Sequence, residues 1–240
     1  MQIKAIKTRI FHENEDLISF ILKYIKKIPE NSVLVVTSKI LALSEGRTRE
    51  YKNEKERKIQ KIKFIKEESS FAVKTKIVWL TIKDGMMMAD AGIDESNAKG
   101  KLILLPRNSF KSAEILRKKL IKKFHLKNLG ILITDSRLMP LRAGVVGVAL
   151  GYAGFTGVKD YRGQKDIFGR VFKMSQTNIA DSLATTAVVC MGEGKEQQPL
   201  AIITGAPVSF NNEKINKKEL IIDLDDDIYW PLFKKFKNKI

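Results

Sequence analysis

Short runs of Val, Ile and Leu recur along the chain, bounded by Gly, Pro, Ser or Asp. They fall at residues 33–37 (VLVVT), 76–82 (KIVWLTI), 101–105 (KLILL), 130–134 (GILIT), 200–204 (LAIIT) and 220–224 (LIIDL). Runs of this length and composition predict strands. A different spacing marks helices. Leu17, Ile21, Ile25 and Ile28 share one face of a helix over 16–28. The same period recurs over 109–124 and over 178–191, where Ile179, Leu183, Ala187 and Cys190 line up. Helices and strands do not alternate regularly. The pattern therefore predicts an α+β fold, with mixed β-sheets and flanking helices. Residues 44–75 are charged and weakly periodic, which reads as a hairpin excursion or a mobile flap. Residues 1–210 read as one domain. Residues 211–240 read as a Lys-rich C-terminal extension with one strand and an aromatic end (Tyr229, Trp230, Phe233).

Composition narrows the class. A chain of 240 residues, 44% of them hydrophobic, is ample for a buried core. The first residues carry charges where a secretory leader needs an apolar run. The longest uncharged stretch, between Arg142 and Lys159, is Gly-rich and shorter than the roughly 18 residues of a membrane span. One cysteine, Cys190, and two histidines, His12 and His125, exclude a disulfide framework and a Cys- or His-rich metal centre. These points favour a cytoplasmic protein. Cys190, on the apolar face of its helix, reads as a buried structural thiol. The net charge of +17 raises nucleic acid as a partner. Only ten of the 44 basic residues are arginine, the side chain that reads bases and phosphates with a bidentate fork. No nucleic-acid motif is visible, and the lysines of 111–127 fall on the polar side of an amphipathic helix. The charge reads as a solvated surface that also attracts small anionic substrates.

Candidate chemistry lies outside the lysine-rich runs. Residues 90–97 (DAGIDESN) place Asp90, Asp94 and Glu95 in one turn. Residues 131–144 (ILITDSRLMPLRAG) run an apolar strand straight into Asp135 and Ser136, followed by Arg137 and Arg142. A carboxylate at a strand end beside a hydroxyl suits a hard cation such as Mg²⁺, which takes one or two carboxylates and leaves room for phosphate oxygens. Arginines nearby suit phosphate or carboxylate oxygens. Each aspartate alone is equally a turn or cap residue. Glu193, in the Gly-flanked loop 191–195 (MGEGK), is a third carboxylate. Glycines at 144, 147, 151, 154 and 157 indicate either close approach to a ligand or tight packing of a strand. Asp160, Arg162, Gly163, Asp166 and Arg170 make a turn that binds a polyanion or pairs its own charges. Met86, Met87 and Met88 read as core filler. There is no P-loop, and no histidine neighbours a Ser or Cys motif as a catalytic triad requires.

Taken together and in order, residues 33–47 (VLVVTSKILALSEGR), 91–97 (AGIDESN), 134–144 (TDSRLMPLRAG), 149–154 (ALGYAG), 160–163 (DYRG) and 166–170 (DIFGR) resemble the coenzyme F420-0:L-glutamate ligase family. Similarity is greater still to the bacterial folate-metabolism γ-glutamate ligase branch. The resemblance implies an intertwined homodimer and a GTP- or ATP-driven amide ligation. The nucleotide phosphorylates a substrate carboxylate, and the amine of L-glutamate attacks the acyl phosphate. It implies Mg²⁺ or Mn²⁺ held by Asp94, Asp135 and Ser136, with Glu193 near a further ligand. Nucleotide contacts are implied at Thr8, Arg9, Ile10, Phe11, Ser38, Lys39 and Asn97. Arg142 and Arg162 are our own candidates for oxyanion partners. The chain departs from the family at several points. Leu138, Met139, Pro140, Leu141 and Arg142 replace Gly-Arg-Pro-Trp-Arg. Leu43 stands for a lysine, and Asp90 for an asparagine, adding negative charge beside Asp94. The Gly-Pro pair is missing near residues 7–9. A non-catalytic nucleotide- or cofactor-binding relative is the alternative expectation.

Overall fold

The computed structural model describes residues 1–213 and 216–234. Most of the basic terminal run 234–240, and part of the extension, lie outside the described residues. In chain order the strands are β1 (Gln2–Ile6), β2 (Ser32–Thr37), β3 (Thr48–Glu50), β4 (Phe71–Lys74), β5 (Trp79–Lys83), β6 (Met86–Ala89), β7 (Lys101–Ile103), β8 (Leu129–Leu138), β9 (Val145–Ala153), β10 (Val158–Asp160), β11 (Gln176–Asn178) and β12 (Leu200–Thr204). The helices are α1 (Leu17–Tyr24), α2 (Ser38–Ser44), α3 (Glu54–Glu68), α4 (Ser109–Phe124), α5 (Ile179–Met191) and α6 (Trp230–Phe233).

The three most apolar strand runs end up at the centre. The main sheet has the order β1-β12-β2-β8-β9. Only β2 and β8 run parallel; every other neighbour is antiparallel. Continuous Val, Ile and Leu runs belong where both faces of a sheet are covered. One face of this sheet packs against α1 and α4, through Phe20, Ile21, Leu116 and Leu120. The other packs against α5, through Leu183, Ala184, Ala187 and Met191. Sheets of both orientations with flanking helices form the α+β arrangement that the pattern predicts. Among the described residues, no helix is long and apolar enough to cross a membrane.

The glycines of β9 serve packing. A Cβ on Gly147 would lie 2.5 Å from the carbonyl oxygen of Ala184 in α5. On Gly151 it would lie 2.5 Å from the backbone nitrogen of Phe110 in α4. The strand backbone thus touches a helix on each face, and only hydrogen side chains fit there.

Several local expectations are corrected. Residues 54–68 form a four-turn helix, not a flap. The Asn53 side chain accepts from the Glu56 N–H at 3.0 Å and caps it. Only Ile65 is buried on this helix, so its apolar stripe is too narrow to read from periodicity. Residues 220–224 pair with no strand among the described residues. Instead Ile221 packs over Gly85 and Glu219 anchors the segment. The Glu219 carboxylate accepts from the Tyr152 hydroxyl and from the N–H groups of Gly157 and Val158, both at 3.2 Å. Burial and this carboxylate push the Tyr152 phenol well up. Cys190 is exposed. The buried face of α5 runs through Ala180, Ala184, Val188 and Met191, and Cys190 lies off it beside exposed Val189. Met88 is in the core as expected, and Met86 packs beside it.

Gly151→Ala is expected to destabilise the fold by about 1–3 kcal/mol through overpacking against α4. Thermal unfolding should then shift down by roughly 2–4 °C per kcal/mol for a chain of this size. An unchanged melting temperature would show that α4 moves away at no cost.

Candidate active site

The site grows from the carboxyl ends of the parallel pair, where ligands bind in many α/β sheets. Register aligns Thr37 of β2 with Thr134 of β8. The next residues diverge. Thr37 is extended and α2 begins at Ser38, whereas β8 continues to Leu138 along β9, with an irregularity between Ile133 and Thr134. Ser38 and Asp135 therefore face each other, and the Ser38 hydroxyl donates to the Asp135 carboxylate at 3.2 Å. Ser136 donates its hydroxyl to the Glu193 carboxylate, from the loop that follows α5.

The acidic turn approaches from the side. Asp94 is held in place by its own backbone, which exchanges two hydrogen bonds of 2.9 Å with Ile103. Its carboxylate accepts from the Ser96 N–H at 2.7 Å and pairs with the Lys39 ammonium at 2.7 Å. Lys39 also donates to the Ser96 carbonyl at 3.0 Å. Asn97 donates its amide to the Gly194 carbonyl at 3.2 Å and so joins the acidic turn to the Glu193 loop. The segment after β1 closes the mouth, with the Thr8 N–H bonded to the Gln197 carbonyl at 2.9 Å.

These segments enclose one cavity of about 740 Å³. Thr8, Arg9, Ile10, Phe11, Ser38, Lys39, Asp94, Asn97, Asp135, Ser136 and Glu193 all line it. Leu43 lines it too, where the family has a lysine. Other expected residues stand elsewhere. Arg142 sits in the exposed turn between β8 and β9. Arg162 is exposed and pairs with Asp160 at 2.6 Å, which holds that carboxyl down to about 2. Neither arginine belongs to the cavity lining. Asp90 does not add charge beside Asp94. It pairs with Lys61 at 2.9 Å and accepts from the Trp79 N–H at 2.8 Å. Glu95 likewise pairs with Arg57 at 2.9 Å.

Thr134 and Arg137 also line the cavity; of the two arginines that follow Asp135 in the sequence, it is Arg137 and not Arg142 that faces the site. Arg137 stands two residues past Asp135 and therefore shares its strand face. Its guanidinium pairs with the Asp135 carboxylate. Strand alternation is the signal that separates it from Arg142.

The donor set suits a hard cation. Asp94, Asp135 and Glu193 offer carboxylate oxygens, and Ser136 a hydroxyl. Among the described residues, no three His, Cys, Asp or Glu side chains are gathered into a ready-made cluster. Mg²⁺ does not demand one, because it keeps waters and phosphate oxygens in its shell. Burial pushes the Asp94 carboxyl up, but the Lys39 charge and the Lys39 and Ser96 hydrogen bonds outweigh it and hold the carboxyl below its ordinary value. A depressed carboxyl stabilises the fold above its unfolded value and loses that contribution as pH falls through the folded value. In Lys39→Met burial remains and the ammonium is gone, so Asp94 should titrate at higher pH and the loss should begin earlier. A carboxyl ¹³C NMR titration reads this directly. An unmoved Asp94 would show that Lys39 does not hold it.

Comparison with known proteins follows the same residues. The profile of the F420-0:Gamma-glutamyl ligase family matches residues 5–205. Coenzyme F420:L-glutamate ligase of Methanococcus maripaludis strain C7 is 44% identical over 147 residues, 61% of this chain and 58% of that relative. The protein of the same name from M. maripaludis strain S2 is 36% identical over 219 residues, 90% of this chain and 86% of the relative. That of Methanocaldococcus jannaschii is 42% identical over 147 residues, 61% of this chain and 58% of the relative. A match that spans most of the chain and all of the cavity segments places this protein in the F420-0:γ-glutamyl ligase family.

Proposed function

We propose that this protein is a metal-dependent, NTP-driven γ-glutamyl ligase. It joins L-glutamate to a carboxylate of a small cofactor, F420-0-like or folate-like. One observation carries the reading. Eleven residues from five separate segments, all matched to nucleotide or metal positions by resemblance, line a single cavity. The names of the relatives supply the ligase chemistry.

In this reading the GTP or ATP triphosphate lies against Lys39 and Arg9, which supply positive charge where phosphoryl oxygens gather. Asp94, Asp135 and Ser136, with Glu193 close by, would hold Mg²⁺ or Mn²⁺, which would supply positive charge to offset that of the triphosphate. An acceptor carboxylate oxygen takes the γ-phosphoryl group, and the nucleoside diphosphate leaves. The glutamate amine then attacks the acyl carbon, inorganic phosphate departs, and the amine proton is lost as the amide forms.

The protein acts as a homodimer in this reading. Leu138, Met139 and Leu141 are exposed at the β8–β9 turn, and Ile167, Phe168 and Met174 are exposed between β10 and β11. Apolar groups clustered this way mark an interaction surface. Arg142 lies in the first of these turns, and Arg162 just after β10.

Incubation with nucleotide, Mg²⁺ or Mn²⁺, L-glutamate and a panel of F420-0 and folates should yield a product heavier by one glutamyl unit, read by mass spectrometry. Asp94→Ala and Asp135→Ala should each abolish that product while circular dichroism stays unchanged. Full activity in either variant would refute the site. Sedimentation should give twice the chain mass. A monomer that still ligates would refute the dimer.

A further inference from the structure

Buried polar atoms without a hydrogen-bond partner are rare in native folds, and each calls for an explanation. Among the described residues, three side-chain atoms are in this position: Thr134 Oγ1, Arg137 Nε and Arg137 Nη2. All three belong to residues of β8 that line the cavity. Arg137 is only 8% exposed. Its Nη1 is engaged, donating to the Asp135 carboxylate and to the Ser136 carbonyl at 3.0 Å. The free edge of the guanidinium is thus the Nε–Nη2 side.

That edge presents two parallel N–H donors in one plane, the fork that matches the two oxygens of a carboxylate. A guanidinium cannot shed its proton to escape the cost of unpaired donors. The Asp135 contact fixes its orientation, and both nitrogens are covered by neighbouring atoms, so a ligand takes the fork as those neighbours move aside. The ammonium groups of Lys39, Lys99 and Lys195 line more open parts of the same cavity and suit a solvated polyphosphate. The enclosed fork suits a small planar anion. We propose that Arg137 is a substrate-binding residue, taking on its Nε–Nη2 edge a substrate carboxylate that is not the reacting one. The source is either L-glutamate or the acceptor. This deepens the ligase reading and rests on it for the substrates' names, though not for the chemistry of the fork.

The test uses the full chain and the Arg137 Nε–H resonance, assigned by its absence in Arg137→Lys. L-glutamate, folate, F420-0 and inorganic phosphate are titrated separately. Either L-glutamate or one acceptor is expected to shift that resonance and slow its exchange with water, which identifies the source. Phosphate should leave it in place. In turnover, Arg137→Lys and Arg137→Met should raise KM for that same substrate at least tenfold, Met more than Lys, with KM for the nucleotide unchanged. The proposal is overturned if phosphate alone moves the resonance, if no carboxylate does, or if the nucleotide KM rises equally. A carboxylate-induced shift without ligation would overturn the ligase reading and leave Arg137 as a carboxylate site. Through-bond connectivities from the Arg137 backbone to its Nε–H give the same assignment in the unaltered chain, so a variant that fails to fold does not block the test.

Discussion

Everything at the site depends on the parallel pairing of β2 with β8. Parallel neighbours cannot be joined by a tight turn, so the chain between them must make a long crossover. Here that crossover carries α2, α3, the β3–β7 pair, the three-stranded sheet β4-β5-β6, the acidic turn and α4 before it returns to the main sheet. Both strands then end at the same edge, and residues nearly a hundred positions apart come within hydrogen-bonding distance, as Ser38 and Asp135 do. Register is pinned by packing, because a slip of one residue would exchange Val33 and Val35 on one face with Leu34 and Val36 on the other. The glycines of β9 serve the same end. They let α4 and α5 close on the sheet and so set where the Glu193 loop begins.

The electrostatics of the cavity follow from this frame. Asp94, Asp135 and Glu193 each meet a donor: Lys39, Ser38 with Arg137, and Ser136 respectively. Cationic side chains thus stand among the carboxylates. Such a mixture suits a ligand that is itself mixed in charge, with anionic phosphate or carboxylate groups and a cation beside them. The acids that do not face the cavity are neutralised from behind. Asp90 and Glu95 pair with Lys61 and Arg57 of α3, so the charged helix serves to hold the acidic turn in place. The surplus of basic residues over the rest of the surface favours the approach of small anions.

Much of the fold was legible because its signals are local. The three central strands of the main sheet showed as apolar runs, and α4 and α5 showed as periodic faces. The acid motifs at 94 and 135 were legible as residue types suited to a hard cation, and the resemblance assigned them. What failed did so for physical reasons. Helix α3 buries only Ile65, so cap and charge pattern, not an apolar stripe, make it a helix. Cys190 lies at the margin of a face made of small residues, where a shift of one position exchanges buried for exposed. The apolar run 220–224 packs side chains over Gly85 and finds no strand to pair with.

By itself the sequence determined the core strands, the helices with a broad apolar face and the kinds of group available for chemistry, since those follow from side-chain polarity and spacing along the chain. Only the tertiary structure decided which charges share a cavity. It drew Asp94 in and tied Asp90 and Glu95 to α3. It left Arg142 and Arg162 on exposed turns and buried Arg137 beside Asp135. Those outcomes depend on strand register, crossover and close packing between distant segments. None of these leaves a mark in the local pattern of a single chain.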